Sequence, residues 1–184
     1  MLAGMLLVLA LLLQDVAVPG FAGTWKVRPD QLVDPQAAVD SSAGSGQVKG
    51  GGLEWYLIPR ANWKGEVERL ELRQMMIDLL AETNTIELVL APGEVRFYSG
   101  ELSRILYLAR EHTREDRRGR RLQTHSTLTD AQLTIVSDWA DGMKVTESYT
   151  LLPSGSEMLA TLKWESKYLI KPFELARRYQ RSAP

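Results

Sequence analysis

Few side chains in this sequence could carry out acid–base chemistry, and His112 is the first to consider. It lies in the segment Glu-His-Thr-Arg-Glu-Asp, next to Glu111 and close to Asp116. A histidine beside a carboxylate can act as a general base. No nucleophile motif such as Gly-x-Ser-x-Gly accompanies it, and its charged neighbours favour a solvated loop. We therefore predict no catalytic residue, and an unrecognised hydrolase is the last of three functional hypotheses.

His125 is the other histidine of the chain, and it makes no better case for a metal site. The alternation of Leu122, Thr124, Ser126 and Leu128 predicts a strand, and His125 lies on the opposite face of that strand. No second ligand follows at the spacing that a zinc site needs. The sequence also has no cysteine, which excludes disulfides and thiolate ligands. We predict neither a metal site nor a cofactor.

Two charged features remain to be considered, one for catalysis and one for ligand binding. Glu147 is the single acid on the apolar face of a predicted strand, but sugar hydrolysis needs a second carboxylate that the sequence does not identify. The segment Arg114–Arg121 holds five arginines and two acids. Such a segment could bind an anion or a lipid headgroup, although a hairpin tip kept soluble by its charge is the favoured interpretation.

Composition limits the class of protein. The chain has 184 residues, of which 45% are hydrophobic, and this suits one compact domain. Lysine and arginine number 22 against 23 acids, so the net charge is −1. Proteins that bind nucleic acid usually carry a basic excess, and we predict no nucleic-acid partner.

The first residues predict an export signal. Met1–Leu13 is an uncharged apolar run, shorter than the about 20 residues that a membrane-spanning helix needs. Its length fits the apolar region of a secretory signal peptide, although no lysine or arginine precedes it. We predict a signal peptide over 1–22, cut after Gly20 or Ala22, and an exported protein of the periplasm or the extracellular space without an integral membrane span. An uncleaved anchor and a core helix are the alternatives.

The next part of the chain changes character several times. Phe21–Val27 predicts a strand, Asp30–Gly52 is rich in glycine and serine and predicts a loop, and Leu53–Ile58 predicts a second short strand. Over Gly65–Thr83 apolar residues recur at spacings of three and four, which predicts one α-helix. Its apolar stripe covers the core, caps a ligand site or binds a protein partner, and consists of Leu72, Met75, Met76 and Leu79.

From Thr85 to Glu165 the period of the pattern becomes two, which predicts six strands separated by short turns. The turn at Asp141-Gly142 favours a hairpin. A meander of this length curls and closes, because closure removes exposed edges. Phe173–Arg181 fits a helix or a strand, and a strand is favoured because it could pair with the first strand. The predicted fold is mainly β, an antiparallel up-and-down barrel or a strongly curled meander with one inserted helix.

Several of these segments are similar to a known family. Gly23-Thr24-Trp25 resembles the G-x-W signature of the lipocalins and their wider calycin-type barrel superfamily. Trp139–Gly155 is similar to the late hairpins of small exported bacterial lipocalin-like proteins, most of which have no assigned activity, and Arg178–Arg181 resembles their basic last strand. The resemblance implies a single domain over 23–184 with a loop and helix inserted at about 31–83.

The resemblance also implies roles for individual residues. Gly23 and Trp25 would be structural, with Trp25 packed at the closed barrel end against Arg177 or Arg178 of the last strand. The protein would be a non-catalytic binder of a small apolar ligand. The residues that would line a cavity, or fill the barrel in its place, are Phe97, Met143, Val145, Tyr149, Leu162 and Trp164. The alternative is a cell-envelope interaction or structural module that binds a protein partner through the helix over Gly65–Thr83.

Overall fold

A computed structural model of the protein describes residues 20–44, 63–116, 118–167, 169 and 172–182. The apolar run Met1–Leu13 and the predicted strand Leu53–Ile58 lie outside these residues. The described part is mainly β, as predicted, and contains ten strands and two helices. In chain order they are β1 (Gly23–Val27), α1 (Pro35–Gly44), α2 (Trp63–Glu82), β2 (Thr85–Ala91), β3 (Glu94–Ser99), β4 (Leu102–Tyr107), β5 (Glu111–Glu115), β6 (Arg121–Leu128), β7 (Gln132–Trp139), β8 (Lys144–Leu151), β9 (Glu157–Glu165) and β10 (Phe173–Arg181).

The strands form one antiparallel sheet in the order β4-β3-β2-β1-β10-β9-β8-β7-β6-β5. The segment Phe173–Arg181 is a strand, as predicted, and it pairs with β1 so that Trp25 lies opposite Arg181 and Val27 opposite Tyr179. The burial pattern explains why this segment is a strand and not a helix. Phe173, Arg177 and Tyr179 are all buried while the residues between them are exposed or half-buried, and such a period of two is typical of a strand.

The sheet curls into a nearly closed barrel. Its two end strands, β4 and β5, do not pair with each other in the described part of the chain. Across this gap Leu108, just after β4, forms a parallel bridge with Ser126 of β6, and the amide of Ala109 donates to the Ser126 carbonyl at 3.1 Å. The prediction of a closing meander is therefore confirmed, with one opening between β4 and β5.

The predicted number of strands was too small, because the structure has eight between Thr85 and Glu165 rather than six. The solvated loop predicted around His112 is wrong. Residues Glu111–Glu115 form strand β5, which pairs with β6. Here the tertiary environment overrides composition: the ring of His112 packs edge-on against Tyr107 at 4.7 Å, and Arg114 Nε donates to Thr124 Oγ1 at 3.2 Å. His125 is exposed, as its phase predicts.

The helix predicted over Gly65–Thr83 is confirmed as α2, but α1 lies where a loop was predicted. Its start has two recognisable signals that the glycine and serine content obscured. Asp34 accepts the Gln36 amide on its side chain at 2.9 Å, and proline is favoured at the first helical position, which Pro35 occupies. Val39 of α1 is then buried together with residues of α2.

Buried side chains form two clusters. The Trp25 cluster includes Phe21, Trp25, Ile86, Leu88, Phe97, Leu133, Ile135 and Tyr149. The Trp164 cluster lies between the helices and β8 to β10, and consists of Val39, Leu72, Met76, Leu80, Met143, Val145, Trp164 and Phe173, with Met75 and Leu79 partly buried against it. The apolar stripe of α2 thus covers the barrel core. Within the described residues, no helix is both long enough and apolar enough to cross a membrane.

Candidate ligand cavity

Trp25 is fully buried, and the surrounding groups give it a structural role. Its indole Nε1 donates to the Phe21 carbonyl at 3.0 Å. The guanidinium of Arg181 lies 4.4 Å from the centre of the indole ring, where a cation is attracted to the aromatic face. Arg181 also donates to the carbonyls of Ala22 and Gly20. The residues just before β1 are therefore tied to the end of β10.

The arginine over Trp25 is Arg181, rather than Arg177 or Arg178 as the resemblance implied. Two residues separate side chains on the same face of a strand, and Trp25 is paired with Arg181 in the sheet register. Arg178 is exposed on the outer face, and Arg177 is buried. Gly23 has a φ of 120°, in a region that other residues rarely adopt.

Glu147 of β8 is buried, and its partner is Arg104 of β4. Arg104 Nη1 donates to Glu147 Oε1 at 2.5 Å and Nη2 donates to Oε2 at 3.0 Å, which is a bidentate pair. The Tyr149 hydroxyl donates to Oε2 at 2.8 Å. The sequence identified Glu147 by its phase, and the same signal would have found Arg104, which shares its face of β4 with Leu106.

The pair remains ionised in spite of its burial. Burial alone raises the pKa of Glu147, but the charge and hydrogen bonds of Arg104 outweigh it and leave the pKa below its usual value. Burial likewise opposes the charge of Arg104, and the attraction of Glu147 leaves the pKa of that arginine raised. Burial and then the nearby Glu147 charge raise the pKa of Tyr149, so this hydroxyl stays a donor.

Arg114 of β5 lies near this pair without a close carboxylate of its own. Its guanidinium Nε donates to a neutral hydroxyl, that of Thr124. Burial and then the like charge of Arg104 lower the pKa of Arg114 to about 10, and the attraction of Glu147 and Asp116 only partly offsets this. Arg114 therefore interacts with charges of both signs, that of Arg104 and those of Glu147 and Asp116.

Arg177 of β10 joins the last strand to the end of α2. Its Nη1 donates to the Leu80 carbonyl at 3.0 Å and to the Asn84 side-chain oxygen at 3.3 Å. These are neutral acceptors, and they include one of the carbonyls that a helix leaves free at its C-terminus. The Arg177 Nε and Nη2 groups are buried without a hydrogen-bond partner among the described residues. The Tyr179 hydroxyl donates to the Thr83 carbonyl at 2.5 Å.

Two cavities adjoin these groups. The larger cavity has a volume of about 130 Å³, and the smaller cavity has about 30 Å³. Leu79 and Glu147 line both of them. The larger cavity is lined by Met75, Asp78, Leu79, Leu102, Arg104, Arg114, Asp116, Arg118, Ser137, Trp139, Val145, Glu147 and Trp164. The smaller cavity is lined by Leu79, Leu80, Thr83, Glu147, Tyr149, Ala160, Thr161, Leu162, Leu175, Arg177 and Tyr179.

The six predicted ligand residues divide between these cavities and the packed core. Val145 and Trp164 line the larger cavity, and Tyr149 and Leu162 line the smaller one. Phe97 lines neither, because the Arg104 guanidinium lies 4.2 Å from its ring centre and the Tyr149 ring lies 5.6 Å away. Met143 is a member of the Trp164 cluster. The sequence missed Arg104, and it assigned Arg177 to Trp25 rather than to a cavity.

The basic segment after β5 is engaged in ion pairs of the kind expected at a soluble hairpin tip. Arg120 Nε lies 2.9 Å from Asp116 Oδ2, and Arg118 Nη1 lies 3.7 Å from Glu71 Oε2 of α2. Asp116 also accepts the Trp139 indole N–H at 3.1 Å. These contacts place the tip against α2. Binding of a protein partner to α2 stays a prediction.

Comparison with known proteins gives likeness in structure alone. No protein-family model and no curated protein matches the chain. The fatty acid binding protein of Schistosoma mansoni in complex with arachidonic acid aligns with a TM-score of 0.52 and 15% identity, over 90% of this chain and 98% of that one. Apo lipid binding protein 8 of Caenorhabditis elegans aligns with a TM-score of 0.51 and 13% identity, over 89% and 96%. The fold is thus a nearly closed antiparallel β-barrel similar to those of these two proteins.

Proposed function

We propose that the barrel binds a small, mainly apolar molecule that carries one anionic group, and that it does so without catalysis. The observation that carries this proposal is Arg177. It is a buried guanidinium that donates to neutral acceptors and has two N–H-bearing nitrogens, Nε and Nη2, without partners among the described residues. Tyr179, Tyr149 and apolar side chains share the smaller cavity with it.

Charge accounting inside the barrel supports an anionic ligand. Arg104 and Arg177 are buried, whereas Glu147 is the one acid buried to the same degree in the part of the chain that the structure describes. Glu147 is already bound by both terminal nitrogens of Arg104. A buried cation without a counter-charge is costly. An anion beside Arg177 would supply the missing charge and accept its free N–H groups.

The apolar part of the ligand has a matching surface. Leu79 lines both cavities, and in the larger one Met75, Leu102, Val145 and Trp164 offer apolar side chains. Ligand sites generally combine such walls with a few well-placed polar groups. The proteins of similar fold are named for binding fatty acids and lipids, and a fatty acid has this combination of an apolar chain and one carboxylate.

The test compares decanoate with decanol, which have the same chain length and differ in charge. Calorimetric titration of the folded protein is expected to show decanoate binding about tenfold more tightly, the equivalent of about 1.4 kcal/mol. Arg177→Met keeps much of the apolar stem and removes the charge, and it should abolish this preference. Arg178→Met is the matched control, because Arg178 is exposed on the same strand. Equal binding of the acid and the alcohol, or no binding of either, would overturn the proposal.

We also propose that the protein is exported after cleavage at or before Gly20. Phe21 is fully buried in the Trp25 cluster and accepts the Trp25 indole N–H. Cleavage after Ala22 would remove both interactions and the Ala22 carbonyl that accepts from Arg181. Cleavage after Gly20 would remove only the Gly20 carbonyl, and these contacts support the earlier of the two predicted positions. N-terminal sequencing of protein from the source cell is expected to begin at or before Phe21. A mature chain that starts at Gly23, or a soluble cytoplasmic chain that retains Met1, would contradict this.

A further inference from the structure

We infer that the larger cavity takes an oxygen acceptor of the ligand, so that the bound molecule has an apolar chain with a carboxylate at one end and a hydroxyl or carbonyl oxygen towards the other. This inference rests on the proposed function. It adds a second polar subsite, formed by Arg104, Ser137 and Trp164, at a cavity distinct from that of Arg177.

Three side chains that line the larger cavity carry a buried donor without a partner. They are Arg104 at Nε, Ser137 at Oγ and Trp164 at Nε1, and none of these atoms has a hydrogen-bond partner in the described part of the chain. All three residues are at most 5% exposed. An unsatisfied buried donor costs about 1–3 kcal/mol, so three at one cavity favour an occupant that can accept hydrogen bonds.

The sheet holds two of these donors in one row. Ser137 of β7 is paired with Val145 of β8, and Val145 is paired with Trp164 of β9. Ser137, Val145 and Trp164 therefore project to the same face, because they are in register on neighbouring strands. All of them line the larger cavity. Arg104 reaches the cavity from β4, on the other side of the barrel opening, and its terminal nitrogens are fixed by Glu147.

The acidic side chains of the same cavity, in contrast, already have donors. Glu147 accepts from Arg104 and Tyr149. Asp116 accepts from Trp139 and Arg120 as well as from two backbone amides, and Asp78 accepts from the Gln74 amide at 2.7 Å. Each of these acids thus accepts at least one hydrogen bond, whereas Arg104 Nε, Ser137 Oγ and Trp164 Nε1 have no partner among the described residues.

The charges of the cavity wall make a neutral oxygen sufficient. Arg104, Arg114 and Arg118 face the same cavity as Asp78, Asp116 and Glu147, so the formal charges cancel. A hydroxyl or carbonyl oxygen needs donors but no counter-charge. The unbalanced cation in the neighbouring cavity is Arg177, which is where the carboxylate of the same ligand is proposed to bind. Leu79 and Glu147 line both cavities, so the two proposed subsites are neighbours in the barrel.

The experiment compares straight-chain acids of 8, 10 and 12 carbons with the acids of the same length that carry a hydroxyl at the far end. Without a polar subsite, the added hydroxyl would weaken binding because it would be buried unpaired. We expect at least one hydroxy acid to bind about three- to tenfold more tightly than its parent, the range for one net hydrogen bond. Calorimetric titration gives both constants for each pair.

Two variants assign the gain to the subsite. Ser137→Ala removes the hydroxyl and should reduce the gain while leaving the binding of the unsubstituted acid within about twofold, since that acid makes no hydrogen bond there. Trp164→Phe removes the indole N–H and should also reduce the gain, which is measured as the ratio of the two constants within that variant because Trp164 also belongs to the apolar wall. Ser126→Ala is the matched control. Ser126 Oγ is also buried without a partner among the described residues, but Ser126 lines neither cavity. This control should keep the full gain.

The outcomes separate this inference from the proposed function. If decanoate shows no preference over decanol, the proposed function fails and the inference fails with it. If that preference holds and every hydroxy acid binds more weakly than its parent, the larger cavity has no acceptor subsite and only the inference is overturned. A gain that Ser126→Ala removes as fully as Ser137→Ala would also overturn it, because the effect would not come from the cavity.

Discussion

Trp25 and Trp164 are both buried, yet the groups around their indole rings differ. The N–H of Trp25 donates to a carbonyl, and Arg181 lies on its ring and is itself bound to two backbone carbonyls. The N–H of Trp164 has no partner among the described residues, and the ring borders a cavity of about 130 Å³. Strand periodicity offers no sign of this difference, since both residues occupy apolar positions of predicted strands. Only the resemblance gave Trp25 a structural role and placed Trp164 among the residues that would line a cavity or fill the barrel.

The two regions differ in how their buried donors are paired. The donors around Trp25 have acceptors, whereas several around Trp164 have none among the described residues. Around Trp25 the polar groups named above bond to one another, so the region needs nothing further to be stable. Around Trp164 the indole N–H, Ser137 Oγ and Arg104 Nε have no partner among the described residues, whereas Glu147 and Asp116 each accept hydrogen bonds. Buried polar groups in folded proteins are nearly always hydrogen-bonded, and the exceptions therefore indicate where a ligand would bind.

The largest expected effect is in the region around Trp25. Trp25→Ala would leave a cavity in the Trp25 cluster and remove the contacts of Arg181 and the Phe21 carbonyl. We expect the free energy of unfolding to fall by about 3–5 kcal/mol, the range for truncating a buried tryptophan or phenylalanine. Urea denaturation followed by circular dichroism measures it. An unchanged midpoint would show that the G-x-W segment does not stabilise the barrel.

The next effect concerns the ion pair between the two regions. Glu147→Gln would leave the buried Arg104 without a counter-charge, and breaking such a pair costs about 3–5 kcal/mol. We expect a loss near the lower end, because the amide oxygen still accepts a hydrogen bond. Replacing both partners, with Arg104→Met and Glu147→Leu, should recover most of the loss. A double variant less stable than Glu147→Gln would mean that the pair stabilises the barrel beyond avoiding an isolated charge.

The same pair predicts how stability depends on pH. Glu147 has a pKa below the ordinary carboxyl value of 4.5 in the folded protein, so its contribution is present above pH 4.5 and is lost as pH falls through the lowered pKa. The stability difference between the unsubstituted protein and Glu147→Gln should therefore shrink as pH falls from 5 to 3. Urea titrations at several pH values measure it. A difference that grew on acidification would show that the carboxyl is protonated in the folded barrel.

The smallest expected effect is in the region around Trp164. Trp164→Phe removes an N–H group that has no partner and retains an aromatic ring, so the loss of packing is partly offset. We expect the free energy of unfolding without ligand to fall by about 1–2 kcal/mol, because the smaller ring leaves part of the indole volume empty. Trp25→Phe should cost more, because the Phe21 carbonyl loses its donor. Comparable losses in the two variants would remove the distinction between the regions.

Strand periodicity was sufficient to predict much of the barrel. The alternation in β8 and β10 assigned the buried face of each strand correctly, and Asp141-Gly142 marked the turn before β8. The same method failed at β5, where charged residues form a strand because β6 supplies its hydrogen bonds. It failed again at α1, whose helix depends on the capping residue Asp34 and on packing of Val39 against α2.

The candidate site was harder to predict, because a single sequence shows phase but not partners. Glu147 was conspicuous as an acid on an apolar face. Arg104 is likewise a charged residue on the buried face of its strand, β4. Forty-three positions separate them in the chain, and the curvature of the sheet brings them together. The phase of Arg177 was also visible, but the register with β1 places Arg181, four residues later, over Trp25.

The sequence alone predicted a mainly β, antiparallel barrel or strongly curled meander with one inserted helix, because period two and period three-to-four are local properties of the polypeptide. Tertiary structure decided which buried polar groups are satisfied. A guanidinium or an indole N–H on an apolar face looks the same in sequence whether a carbonyl meets it, as at Trp25, or a cavity does, as at Trp164. That outcome depends on sheet curvature and strand register, which bring distant residues within the 3 Å or so that a hydrogen bond requires.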